Sequence, residues 1–213
     1  MYANITTDNE KQQQAMRRYY RWQSRIYDMT RWSFLFGRKS VLRHLPFSRE
    51  DRLQVLEVGC GTGKNLVALA SRFPKASITG LDVSRDMIKA AEKKTSRFRN
   101  RMELIELPYG KLSGFAEKFD IILFSYSLTM INPQWLDLLE QSKLDLKKGG
   151  YIVVVDFHDS RWLWFKGHMA NNHVRMDGHL LPVLKKLFHK HAVCIKTAYG
   201  NLWEYVRFVG RKD

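Results

Sequence analysis

The 213-residue chain predicts an α/β fold, doubly wound around a mostly parallel sheet, and three observations carry that prediction. Apolar, β-branched runs of strand length alternate with helical periodicity between residue 53 and residue 156. The first run, Leu53–Val58, passes into Gly59-Cys60-Gly61-Thr62-Gly63 and then into the helix pattern that starts at Asn65. The second run, Ser77–Asp82, ends in a carboxylate at the distance, about 20 residues, at which nucleotide-binding sheets place a ribose-binding acid.

Composition bounds the function classes. A hydrophobic content of 45% with 27% charged residues is that of a globular chain, not a disordered one. The formal net charge of +15 points to an anionic partner: a lipid surface, a nucleic acid or an acidic substrate. The two cysteines, Cys60 and Cys194, make no disulfide framework and suit a reducing cytoplasm. No run approaches 18 apolar residues and the N-terminus carries no signal-peptide core, so the sequence predicts no membrane span.

Taken in order, the chain divides into residues 1–52 and residues 53–213. A helix is expected from about Asn9 to Met29, with Met16, Tyr19, Tyr20, Gln23, Ile26 and Tyr27 on one face. A second is expected from Trp32 to His44. Residues 1–52 hold eleven Lys and Arg against five Asp and Glu, interleaved with Trp, Tyr and Phe. That pattern suits a helical lid resting on an anionic membrane surface; solvated arginines with the aromatics packed inward are the plainer reading. Ser84 is placed to cap a helix over residues 84–97. Strands follow at Met102–Leu107 and Phe119–Phe124. Pro133 opens a helix that Lys147–Gly150 closes, and Tyr151–Asp156 is a further strand. Residues His189–Ala198 and Leu202–Val209 read as a terminal hairpin. The stretch between Asp156 and His189 reads as irregular. Its histidines, His158, His168, His173 and His179, lack the spacing of a metal site, and no metal is expected. His158 remains a candidate proton acceptor, although a satisfied polar residue is the simpler reading.

A glycine-rich turn between a strand and a helix converges backbone N–H groups on a ligand, and spacing separates the ligand classes. A phosphate loop needs four residues before Gly-Lys-Ser/Thr; here three separate Gly59 from Gly63-Lys64, and Asn65 replaces the hydroxyl. The dinucleotide fingerprint wants its third glycine where this chain has Lys64. What remains, Glu57-x-Gly59-x-Gly61-x-Gly63, resembles motif I of the class I S-adenosylmethionine-dependent methyltransferases. With it, a parallel sheet ending in an antiparallel hairpin resembles their seven-stranded, Rossmann-like fold. Under this resemblance S-adenosylmethionine is the cofactor. Asp82 accepts from its ribose hydroxyls and Met87 covers the adenine, with Val83 and Leu107 completing that pocket. Glu57, Gly59, Gly61 and Gly63 hold the methionine end, and Ser125 offers its backbone carbonyl to the ammonium.

Three further segments resemble the betaine-lipid methyltransferases, which trimethylate diacylglyceryl homoserine. They are Ile26–Arg38, Phe124–Ile131 followed by Pro133 and Trp135, and Val154–Phe157. The resemblance implies a lipid or small hydrophobic amine as acceptor, with an anionic membrane surface as partner and a cytoplasmic, peripherally membrane-associated location. Tyr19, Tyr20, Tyr27 and Tyr126 become candidates to face the quaternary cation, and Arg31 or a neighbour to bind a head-group carboxylate. Tyr27, Tyr126 and Arg31 are thereby the expected catalytic residues. A quinone or another small hydrophobic acceptor is the alternative. Net charge alone would allow a nucleic-acid-binding protein, but the chain has no recognised module for it. The region after the fourth strand reads Ser125-Tyr126-Ser127-Leu128, not Asn/Asp-Pro-Pro-Tyr, so no nucleic acid is expected.

Overall fold

The computed structural model describes residues 35–111 and 114–213. The expected helix at 9–29, its lid role, and Tyr19, Tyr20, Tyr27 and Arg31 lie outside the described residues. Of the second expected helix, the described part is α1 (Arg38–Val41), continued by a 3-10 turn over Leu42–His44.

The remaining elements run β1 (Gln54–Val58), α2 (Lys64–Arg72), β2 (Ser77–Asp82), α3 (Arg85–Thr95), β3 (Met102–Glu106) and β4 (Phe119–Ser125). Then come α4 (Trp135–Asp145), β5 (Leu146–Phe157), α5 (Leu163–Asn171), α6 (Leu180–Leu187), β6 (His189–Ala198) and β7 (Trp203–Arg211). They build a seven-stranded sheet in the order β3-β2-β1-β4-β5-β7-β6. β1 to β5 pair in parallel, while β7 runs antiparallel to both β5 and β6. The doubly wound sheet and its terminal hairpin are as the sequence pattern predicts.

Alternation along the central strands feeds two apolar layers. Val55, Ile121, Leu123, Val153 and Val155 join the layer that holds Leu66 and Leu69 of α2. Leu56, Ile122, Phe124, Ile152 and Val154 join the layer of Leu138 and Leu139 of α4 and Leu180 and Leu184 of α6. Val41, Leu42 and Leu45 are buried in the first layer, so residues 35–52 share the core of the sheet domain.

Two expectations are corrected here. The stretch between Asp156 and His189 is not irregular: it forms α5 and α6, which bury Phe165 and Met169, and Leu180, Leu181 and Leu184. These helices are nine and eight residues long, too short for their periodicity to stand out among the intervening histidines and glycines. Lys147–Gly150 lies within β5, not at a helix close. The chain there bulges around Phe119 and Ile121 of β4, and Gly149, with φ 78°, follows the bend. The α4 boundary also moves. Trp135 N donates to Ile131 O, so Pro133 sits inside an opening turn that precedes the regular helix.

Candidate active site

β1, β2 and β4 end side by side at the carboxyl edge of the sheet, where open α/β folds bind ligands. The glycine turn after β1 folds onto the end of β2, because Gly59 N and Cys60 N both donate to Leu81 O at 2.9 Å. Gly59, Gly61 and Gly63 have φ of 72°, 53° and 76°, a region open chiefly to glycine. At Gly63 the space is short as well: a Cβ would stand 3.1 Å from that of Ala91, where α2 packs on α3. Cys60 is buried in the turn, and burial pushes its thiol pKa up, consistent with a small packing residue.

Asp82 ends β2 and ties the loops together. Its Oδ2 accepts from Gly61 N at 2.8 Å and its Oδ1 from Ser84 N at 2.9 Å. Its carbonyl accepts from Leu107 N at 3.1 Å, which draws the end of β3 alongside. Ser84 caps α3, its hydroxyl accepting from Met87 N at 3.5 Å.

The resulting cleft is lined by Val58, Gly59, Leu81, Asp82, Val83, Ser84, Met87, Leu107, Tyr109, Ser127, Met130, Ile131 and Leu138. Of the residues singled out from sequence, Gly59, Asp82, Val83, Met87 and Leu107 are brought together in this wall. Gly61 and Gly63 shape the adjoining turn, and Ser125 lies buried at the end of β4 with an unpartnered hydroxyl oxygen.

Glu57, which precedes the cleft-lining Val58 and Gly59, is fully buried on β1. Asn65 Nδ2 donates to its Oε1 at 2.7 Å, whereas its Oε2 is buried with no partner. Burial pushes the carboxyl pKa up to about 8, against the opposing effects of Asn65 and Arg38. Arg38 of α1 is the nearby cation. Its guanidinium lies 5.9 Å from the Tyr126 ring centroid, and burial lowers its pKa although Glu57 and Tyr126 oppose that. A buried carboxylate oxygen lacking a donor, within the field of an arginine, suits the ammonium and carboxylate of an amino-acid group.

Tyr126 does not line the cleft. It is fully buried with φ 55°, its hydroxyl donates to Phe36 O at 2.9 Å, and its ring meets Phe157 edge-on at 4.9 Å. As described, it offers no open face to a ligand in the cleft. His158 also stays out of the wall: its backbone bridges Glu204 and Gly178, and its ring lies against Gly178. His179 pairs with Asp177 and packs on Trp135, while His168 and His173 are exposed. Among the described residues no three His, Cys, Asp or Glu side chains gather as metal ligands.

Several site residues were not singled out from the sequence. Ser127, Met130 and Ile131 enter through the turn after β4, which Asp156 holds in place. This fully buried carboxylate accepts from Ser127 N at 3.0 Å, Leu128 N at 2.9 Å, Thr129 Oγ1 at 2.5 Å and Phe157 N at 2.9 Å. Tyr109 is oriented by donating its hydroxyl to Asp145 Oδ2 at 2.7 Å, and its signal was its place just after β3. Arg38 closes the segment Ile26–Arg38, but its closeness to Glu57 has no local signature.

Residues 55–150 match the sequence model of a methyltransferase domain. The chain is 27% identical over 156 residues to the ubiquinone/menaquinone biosynthesis C-methyltransferase UbiE of Geotalea daltonii, covering 72% of this chain and 63% of that protein. It is also 27% identical over 158 residues to the demethylmenaquinone methyltransferase of Staphylococcus aureus, covering 72% and 61%. The chain thus spans somewhat under two thirds of the length of these relatives. Its fold is similar to that of geranyl diphosphate C-methyltransferase from Streptomyces coelicolor, solved with S-adenosyl-L-homocysteine. That similarity has a TM-score of 0.70 at 14% identity and covers 83% of this chain and 75% of the other.

Proposed function

We propose that this chain, which carries a class I S-adenosylmethionine-dependent methyltransferase domain, methylates a small hydrophobic acceptor of the quinol type. The observation that carries this reading is the make-up of the cleft. Apart from Asp82 its wall, among the described residues, holds no charged side chain, and Met130, Ile131 and Leu138, which the donor reading leaves unassigned, make the rest of it apolar. The two relatives' names, both quinone-pathway methyltransferases, support the same acceptor class.

When bound, S-adenosylmethionine supplies an electrophilic methyl group on a sulfonium. Asp82 receives the ribose hydroxyls beside the glycine turn, and Met87, Val83 and Leu107 cover the adenine. The orphaned Oε2 of Glu57 takes the ammonium, and Arg38 stands near enough to balance the carboxylate. The protein's work is positioning: the apolar wall orients the acceptor and excludes water, from which most of the acceleration follows. Among the described residues no Lys, Arg or His side chain lines the cleft.

A second reading keeps the same donor site and N-methylates a diacylglyceryl homoserine head group. What favours it is the resemblance of Ile26–Arg38 and Phe124–Ile131 to the betaine-lipid enzymes, with Tyr27 and Arg31 then acting on the head group. Incubation with methyl-labelled S-adenosylmethionine and, separately, a demethylated menaquinol analogue and diacylglyceryl homoserine separates the two. Label in the quinol supports the first reading, and label in the homoserine lipid overturns it in favour of the second. Absence of donor binding by calorimetry overturns both.

A further inference from the structure

The end of the turn between β5 and α5 and the first two residues of α5 expose three consecutive large apolar residues. Trp162, Leu163 and Trp164 are 45%, 81% and 64% exposed, the last two more than any other large apolar side chain described. Exposed apolar residues scattered singly need no explanation, but a run of three on one turn does.

Its position in the fold is defined by hydrogen bonds. β5 ends on the carboxyl edge of the sheet, and the chain beyond it is laced to the turn between β6 and β7. His158 N donates to Glu204 O, Glu204 N to Asp159 O, and Ser160 Oγ to Leu202 O. The same serine hydroxyl accepts from Trp162 N at 3.1 Å. Trp162 therefore shares a rim with Tyr199, 50% exposed in that turn, and with Phe36, whose ring meets Tyr199 edge-on at 5.4 Å. This is the edge on which the cleft opens.

The chemistry of the rim selects one partner. Arg161 lies 5.5 Å from the Trp162 ring centroid, and Lys166 follows one helical turn on, paired with Asp159. Tryptophan and tyrosine settle at the head-group level of a bilayer, leucine reaches the acyl boundary, and arginine and lysine meet anionic phosphates. A chain of net charge +15 is drawn to such a surface over its whole extent. Here the anchoring groups sit on the same carboxyl edge of the sheet as the cleft, on its β5–β7–β6 side. We propose that Trp162, Leu163 and Trp164, at the start of α5, insert into an anionic lipid surface and dock the carboxyl edge of the sheet on the membrane.

The test is co-sedimentation of the whole chain with phosphatidylglycerol/phosphatidylcholine vesicles at low salt, comparing wild type with Leu163→Glu/Trp164→Glu. Both side chains point largely into solvent, so the melting temperature should be unchanged. Leu163→Glu alone, at the more exposed position, serves if the double variant is less stable. Partition should fall at least tenfold in the double variant. In the wild type it should weaken with added salt and be low on pure phosphatidylcholine. Equal partition of wild type and variant overturns the proposal, as does a wild type that does not bind vesicles. A variant that changes sedimentation velocity in the absence of lipid, and not vesicle binding, shows a protein–protein face instead and also overturns it. The readout is independent of donor binding and turnover. Failure here leaves the methyltransferase reading standing, and failure of that reading leaves this one.

Discussion

The carboxylate of Asp82 accepts a hydrogen bond from the backbone N–H of Gly61 at 2.8 Å. One contact thus joins the glycine turn after β1 to the end of β2 and holds both in the geometry a nucleoside needs. The acid has a structural duty and, under the proposed function, a ligand-binding one.

Asp82→Ala removes the acceptor for two ribose hydroxyls and frees Gly61 N and Ser84 N. A lost buried acceptor costs about 1–3 kcal/mol, so calorimetry with S-adenosylhomocysteine should show affinity down roughly tenfold or more. Unchanged affinity would remove Asp82 from the donor site.

Glu57 predicts a pH dependence. Burial raises its folded pKa from 4.5 to about 8, so the group is mostly protonated at neutral pH in the ligand-free protein. The stability this shift contributes is present in full below about pH 4.5 and is lost as pH rises towards 8. Glu57→Gln should therefore lose less stability than wild type between pH 6 and pH 9. In the wild type, an arriving ammonium favours the ionised carboxylate and expels the proton. The calorimetric binding enthalpy at pH 7 should then vary with the ionisation enthalpy of the buffer, and in Glu57→Gln this variation should vanish. A buffer-independent enthalpy in the wild type contradicts the assignment.

Asp156→Asn tests the turn after β4. Burial raises the Asp156 pKa to about 6, so above that pH the group is an anion serving several donors at once. The amide keeps one acceptor oxygen and turns a donor against the N–H groups of Ser127 and Leu128. The loss should be on the order of 3 kcal/mol, a fall in melting temperature of roughly 6–12 °C. Donor binding should weaken with it, because Ser127, Met130 and Ile131 form part of the cleft wall. A melting temperature within a degree or so of wild type would show that the turn holds itself.

Tyr126→Phe separates a structural from a catalytic tyrosine. The ring keeps its contact with Phe157 while the Phe36 carbonyl loses its donor. We expect a loss of about 1–3 kcal/mol in stability and donor affinity close to wild type. Collapse of kcat with an unchanged melting temperature would return Tyr126 to the catalytic group.

Much of the fold was legible in the sequence, because its signals are local. Apolar, β-branched runs of strand length marked β1, β2, β4 and the core of β5, and Ser84 marked a helix start. The strand-end Asp82 at a fixed distance from the glycine turn marked a residue that the structure places in the cleft wall. Contacts between distant parts of the chain were not legible. Tyr126 looked like a ligand-facing aromatic until its hydroxyl proved to be held by Phe36, 90 residues earlier in the chain. The orphaned oxygen of Glu57 and the nearness of Arg38 exist only once α1 packs against the sheet. Asp156 reads from sequence only as a strand end, without a role of its own, until the turn 29 residues before it closes over its carboxylate. The short helices α5 and α6 are held by the core they cover, since helices of eight or nine residues have little stability of their own. Local pattern determined the order of the elements and the glycine turn after β1. Burial, which depends on which distant residues meet, decided which polar groups are satisfied, which remain to meet a ligand, and which aromatics face the solvent.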